Sequence, residues 1–144
     1  MFSLFSGIYD FTKKPKREDK ILVLGLDGSG KSTLINSLKK CATTQGLEGY
    51  QGGEFEANKV SPTLGLNLVK IELPSSIVDL MEIGGKESFR SMWSHYYEDA
   101  DKILFIVDAS SSETSEDARN AFAKIVGKWD SFLIVMLTEY DISC

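Results

Sequence analysis

Disulfide bonding has little to work with in this chain. Two cysteines, Cys41 and Cys144, occur in 144 residues; they are too few for a disulfide framework, and their scarcity points to a reducing compartment. Long apolar runs are missing as well. No stretch reaches the roughly 20 residues that span a bilayer. The start MFSLFSGIYDF lacks the basic leader and extended apolar centre of a signal peptide, so a cytoplasmic or peripheral location is expected. There is no excess of positive charge either. With 16 Lys and Arg against 21 Asp and Glu, the net charge is -5, which argues against a general nucleic-acid binder. The single histidine, His95, precedes two tyrosines and has no acid or cysteine at metal-ligand spacing, so a structural role is expected. What remains, 42% hydrophobic and 26% charged residues, suits one domain with its own core.

Phe2, Leu4, Phe5, Ile8, Tyr9 and Phe11 recur at roughly helical spacing, and the proline of KKPKRE ends any helix near Lys14. Residues 1–18 therefore read as an amphipathic helix with a basic linker. It either docks on its own domain or lies at a membrane surface, with Lys13, Lys14, Lys16 and Arg17 facing acidic headgroups. From Lys20, KILVLG reads as a buried strand, and Lys31 to Cys41 as a helix with Leu34, Ile35, Leu38 and Ala42 on one face. The next stretch, with Gly46, Gly49, Gly52 and Gly53, has no period and reads as a long mobile loop. LGLNLVKIEL and SIVDLMEI form a hairpin about Pro74 and Ser75. KILFIVDA and SFLIVML are continuous apolar runs of the kind buried in parallel sheets. Between them Ala118, Ala121, Phe122, Ile125 and Val126 share a helical face, with Gly127 at the C-cap position. Strands alternating with helices predict an α/β doubly wound, mostly parallel sheet, with ligands beyond the carboxyl ends of the strands.

GLDGSGKS, Gly25 to Ser32, fits G-x-x-x-x-G-K-[ST] and sits between an apolar strand and a helix, the context of a phosphate-binding loop. Gly25 and Gly30 permit turns closed to residues with a Cβ, so that successive N–H groups point inward at phosphate oxygens. The helix N-terminus adds partial positive charge. Lys31 reaches the β- and γ-phosphates, and the Ser32 hydroxyl is a hard ligand suited to Mg²⁺. Gly25, Leu26, Asp27, Gly28, Ser29, Gly30, Lys31, Ser32 and Thr33 are the candidate nucleotide-binding residues of this segment. A tight glycine turn alone does not require Lys-Ser at that offset. The glycine spacing is not the dinucleotide fingerprint, so a nicotinamide cofactor is not expected.

With this loop, SPTLGLN at Ser61 to Asn67, MEIGGKESFRSMWSHYYEDAD at Met81 to Asp101 and ILFIVDAS at Ile103 to Ser110 closely resemble small GTPases of the ADP-ribosylation-factor-like group. The match runs in order through nearly the whole chain. The resemblance implies a P-loop NTPase fold, with residues 19–144 as the GTPase domain and a mobile switch I insertion near 43–60. It implies a guanine-nucleotide switch in vesicle or ciliary trafficking that binds GTP or GDP with Mg²⁺. Effector, exchange and activating proteins would meet it through switch I and switch II. It assigns Thr63, with Ser32 and Glu82, to the metal, and Gly85 to the γ-phosphate. It also implies a hydrophobic triad of Leu66, Met81 and Tyr96 linking the switches. Trp93 and Tyr97 are expected to pack a helix against the sheet or a partner.

The departures from the family pattern shape the expectation. Glu82 stands where the family has aspartate, and its extra methylene shifts a carboxylate that a near-octahedral ion holds strictly. Lys86 stands at the catalytic glutamine position, where an ammonium has donors only and cannot orient water as an amide does. Gly85 and Lys86 are the candidate catalytic residues, and slow GTP hydrolysis is expected. Of the guanine-reading motif only Asp141 remains, flanked by Thr138, Glu139 and Tyr140. At ~1 kcal/mol or more per lost contact, affinity is expected to fall about tenfold or more. The chain ends at Cys144, before the last strand and helix of the family. That is the expected ending of a truncated or mis-joined product, or of one whose last strand a partner covers. Phe2 stands where the family often has a myristoylated glycine, which excludes that lipid and leaves only weak membrane contact. The alternative to a switch is a pseudo-GTPase, a binding module with little hydrolysis or base selectivity.

Overall fold

The strand that opens the fold is half polar. In a computed structural model describing residues 16–44, 65–110, 114–126 and 132–137, β1 spans Arg17–Gly25 and is buried only from Leu22 onward. Sequence periodicity places its start at Lys20. Backbone pairing carries it three residues further back, because Arg17, Glu18 and Asp19 lie in register with Ser76, Ile77 and Val78. The strand therefore begins at Arg17, within the segment read from the sequence as a basic linker. The candidate N-terminal helix, the glycine-rich stretch and Gly127 lie outside the described residues.

β1 is followed by α1 (Lys31–Thr44), the hairpin β2 (Leu66–Glu72) and β3 (Ser76–Ile83), the short α2 (Glu87–Arg90), a 3₁₀ turn at Trp93–Tyr96, β4 (Lys102–Asp108), α3 (Thr114–Val126) and β5 (Phe132–Leu137). The sheet order is β2-β3-β1-β4-β5. All neighbours are parallel except β2 and β3, whose turn at Pro74 and Ser75 is closed by Leu73 N donating to Ser76 O at 2.8 Å. After β1 the chain forms the edge strand β2, returns through β3 beside β1, then crosses to β4 on the other side. The carboxyl end of β1 is thus the switch point at which such sheets hold ligands.

Side chains alternate across the sheet, so each strand feeds two cores. On the α1 face, Val23, Ile35, Ala42, Val69, Ile71, Leu80, Leu104 and Ile106 pack together. On the other, Leu22, Leu24, Met81, Ile83, Ile103 and Phe105 pack with Trp93, Tyr97 and the α3 residues Ala118, Ala121 and Ile125. Trp93 meets the fully buried Phe105 edge-on, with ring centroids 6.2 Å apart. Both Trp93 and Tyr97 are buried core residues, as the sequence suggests, and His95 is exposed. Two expected core residues are not buried. Leu38, about 60° around α1 from Ile35, is 40% exposed, and Val126, in the last turn of α3, is 46% exposed. Among the described residues no helix is long and apolar enough to cross a membrane.

Leu66 and Leu68 pair with Ile83 and Met81 and so belong to the Met81 face of the sheet, yet they stand 39% and 66% exposed. Of the expected triad, Met81 and the half-buried Tyr96 join one cluster, while Leu66 lies at the open margin of the same face.

Candidate functional site

The apolar run of β1 stops at Gly25, where the backbone turns at a φ of 150°. The turn admits no side chain: a Cβ on Gly25 would collide with the Ile106 carbonyl and come within 2.7 Å of Ser29 Oγ. Gly28 and Gly30 follow at φ of 73° and 89°, and Ser29 N donates to Leu26 O at 3.3 Å. The result is an arch from Gly25 to Gly30 that ends on the first turn of α1. Ser29 Oγ is buried and finds no hydrogen-bond partner among the described residues. A cavity of about 90 Å³ opens beside the arch, between Asp27, Gly28, Ser29 and the end of β4 at Ile106 and Asp108. It lies at the carboxyl ends of β1 and β4, where the topology directs a ligand.

Lys31 curls back under the arch. Its Nζ donates to Gly25 O at 2.9 Å and Leu26 O at 2.7 Å, and the residue is only 6% exposed. Burial lowers its pKa from the ordinary 10.5, and Arg90 adds to the effect, while Glu82 and Asp27 oppose it. A cation stripped of water in this way gains from any anion that enters the arch.

Strand alternation puts Glu82 on the same face as Leu80, above the start of α1. There the carboxylate is 1% exposed and accepts from Ser32 Oγ at 2.5 Å and from Asn67 Nδ2 at 2.9 Å. Asn67 and Glu82 are cross-strand partners in the hairpin, so the register itself delivers the amide. The extra methylene of Glu82 does not carry the carboxylate away from Ser32. A hydroxyl that donates its proton to a carboxylate keeps lone pairs for a cation, and hard oxygens are the donors Mg²⁺ takes. The residues present therefore fit that ion. Thr63, its third expected oxygen, and Asp141 lie outside the described residues.

Gly85 closes the site from the other side. A Cβ there would drive into the backbone of Gly25, Leu26 and Asp27, so only glycine lets the turn after β3 rest on the arch. Gly84 N donates to Gly65 O at 3.2 Å, Trp93 Nε1 donates to Gly84 O at 3.2 Å, and Arg90 Nε donates to Gly85 O at 3.1 Å. Lys86 is exposed at the N-cap of α2 and caps nothing with its side chain. Thr33 sits half-buried in the first turn of α1, its carbonyl taken by Ser37 Oγ at 3.0 Å.

The structure thus brings together the residues from Gly25 to Ser32 with Glu82 and Gly85, and leaves Lys86 facing solvent. Three residues shape the site that motif reading passes over, namely Asn67, Arg90 and Trp93. Asn67 was reachable once the hairpin register was counted through. The other two announce themselves only through tertiary contacts.

Comparison with known proteins agrees with this geometry. A sequence model of the ADP-ribosylation factor family matches residues 5–141. ADP-ribosylation factor-like protein 3 of Saccharomyces cerevisiae is 37% identical over 127 residues, covering 88% of this chain and 60% of that protein. ADP-ribosylation factor-related protein 1 of Homo sapiens is 30% identical over 126 residues, covering 88% and 59%. The chain spans about 60% of the length of these curated relatives. Among solved structures, the Arl6 small GTPase of Trypanosoma brucei with bound nucleotide analogue GppNp superimposes with a TM-score of 0.59 at 24% identity, covering 76% of this chain and 54% of that one. The GTP-bound T. brucei IFT22/74/81 structure gives 0.61 at 22% identity, covering 83% and 65%. At these identities the structures establish the fold.

Proposed function

The chain belongs to the ADP-ribosylation factor family, and from that premise we propose that it is a guanine-nucleotide-binding switch of the Arf-like small GTPase type. The observation that carries the reading is the buried Lys31 ammonium under the glycine arch, held by the carbonyls of Gly25 and Leu26. A triphosphate laid in the arch meets inward N–H groups, the α1 N-terminus and this cation. Ser32 and Glu82 would hold Mg²⁺, with Thr63 from switch I, and the ion when bound supplies positive charge to the phosphate oxygens. Gly85 offers its N–H to the γ-phosphate, which only GTP carries. Loss of that phosphate releases switch I and switch II, and effector, exchange and activating proteins read the difference. Asp141 selects guanine through the two donors of that base.

Hydrolysis is slow in this reading, because Lys86 replaces a group that both donates and accepts. Its exposure at the N-cap of α2 favours a second reading, a pseudo-GTPase that binds nucleotide and partners without turnover. The N-terminal segment, with Phe2, Leu4, Phe5 and Ile8 beside a basic flank, adds weak, salt-sensitive contact with anionic membrane surfaces. Affinities for GTP, GDP and ATP with Mg²⁺, measured on the wild-type chain and on Lys31→Ala, test the proposal. Guanine nucleotides should bind tightly and Lys31→Ala should lose the triphosphate. Equal, weak binding of all three by the wild type would overturn it. Single-turnover hydrolysis separates the two readings: no turnover in either the wild type or Lys86→Gln favours the pseudo-GTPase.

A further inference from the structure

Arg90 reaches further into the site than its place in a four-residue surface helix requires. Its Nε donates to Gly85 O at 3.1 Å, while Nη1 and Nη2 donate to the two carboxylate oxygens of Asp117 at 3.1 and 3.0 Å. One planar guanidinium therefore joins the turn after β3 to the first turn of α3. An exposed ion pair contributes little by itself, and the Asp117 side chain is 55% exposed. The paired fork nevertheless fixes the orientation of the guanidinium.

What that orientation controls is Gly85. The N–H of a trans peptide points opposite to the carbonyl of the same plane. Trp93 holds Gly84 O, the carbonyl that shares a plane with the Gly85 N–H, and Arg90 holds Gly85 O, the carbonyl of the next plane. Gly85 is thus clamped on both sides, its N–H direction set by the Trp93 bond and its backbone kept from swinging away by the Arg90 bond. Arg90 also lies near enough to the phosphate loop for its charge to act on Lys31.

We propose that Arg90, held in place by Asp117, is a positioning residue: by fixing the peptide after Gly85 it completes, with the Trp93 bond before it, the clamp that keeps the Gly85 N–H in place for the γ-phosphate of a bound triphosphate. This rests on the guanine-nucleotide reading above, and it adds α3 as the wall against which switch II is braced. Arg90 acts through Gly85 and touches no nucleotide in this role. A diphosphate does not use the Gly85 N–H, so the signature is a change in the ratio of GTP to GDP affinity.

The test uses the full chain with Arg90→Ala, Asp117→Ala, the double variant and the conservative Asp117→Glu. Hydrogen exchange of the nucleotide-free protein reports the brace directly: residues 84–88 should exchange faster in both single variants, and Asp117→Glu should restore protection. Titrations with GTPγS and GDP report its use. GTPγS affinity should fall about three- to tenfold in each single variant and no further in the double, with GDP affinity within about twofold of wild type. Unchanged exchange, equal loss of both nucleotides, or additive losses in the double variant would overturn the proposal. Faster exchange with an unchanged affinity ratio would overturn it too, since the brace would then hold the turn without serving the phosphate. A wild-type chain that binds neither nucleotide sinks the guanine-nucleotide reading. The exchange of the nucleotide-free protein tells that failure apart from a failure of the brace.

Discussion

Adding one methyl group to Gly85 tests how closely switch II must rest on the phosphate loop. In Gly85→Ala the new Cβ meets the backbone of Gly25, Leu26 and Asp27, which is anchored by β1 and cannot step aside as a flexible side chain would. Burying a methyl would contribute about 0.8 kcal/mol, but overpacking against fixed atoms costs about 1–3 kcal/mol. The turn can avoid that by lifting off. It then loses the bonds from Trp93 Nε1 to Gly84 O and from Arg90 Nε to Gly85 O, at about 1 kcal/mol each. Either route makes the closed arrangement about 2 kcal/mol harder to reach. A diphosphate does not need that arrangement and a triphosphate does, so GTPγS affinity should fall about 30-fold while GDP affinity holds. Titration with a fluorescent nucleotide reads both. A GTPγS loss under about threefold, or an equal loss of GDP, would refute the reasoning.

Four shorter expectations follow from the same geometry. Lys31→Ala should weaken triphosphate binding by about 100-fold or more, the loss of a desolvated charge contact, with urea melts confirming a folded protein. Lys86→Gln should raise single-turnover GTP hydrolysis, and an unchanged rate would place the defect at Glu82 or elsewhere. Trp93→Phe keeps the edge-on contact with Phe105 but drops the donor to Gly84 O, so it should cost about 1 kcal/mol in a denaturant melt. The pH dependence has a defined sign. Burial keeps the Lys31 pKa below 10.5, so below that value the unfolded chain holds more proton than the folded one and stability of the nucleotide-free protein rises with pH. Tyr97, raised above 10.0 by burial, pulls the other way only above that pH. Melts at about pH 8 and about pH 9.5 should show the rise, and Lys31→Met should flatten it.

The parts legible in the sequence are those carried by short-range spacing. Gly25, Gly30, Lys31 and Ser32 fall within one motif, and their turn, helix start and cation follow from residue type alone. The hairpin was legible through Pro74 and Ser75, and the buried strands through continuous apolar runs. Where periodicity misled, pairing or cover decided. Arg17, Glu18 and Asp19 are strand residues because β3 lies alongside them. Leu38 and Val126 keep the apolar character of their helices but stand at the margins of what the sheet covers. For Glu82 the sequence named the carboxylate but not its partners: in the fold it accepts from Ser32 at 2.5 Å while Asn67, its cross-strand neighbour, holds its other oxygen. Arg90 and Asp117 lie 27 positions apart, and no local pattern joins them.

The central place of β1 also sets a timetable for synthesis. Among the described strands β1 is the first the ribosome delivers, and both of its hydrogen-bonding neighbours come later. The backbone N–H of Lys20 waits for Asp101, 81 positions downstream, and β4 itself begins at Lys102. At about 5–20 residues per second, the aliphatic run of β1 spends several seconds outside the tunnel with one edge unclaimed. Its polar start at Arg17, Glu18 and Asp19 keeps part of that nascent segment hydrated in the interval. Codon changes that slow translation between β3 and β4 should therefore lower the soluble yield of this chain more than the same changes placed after β4.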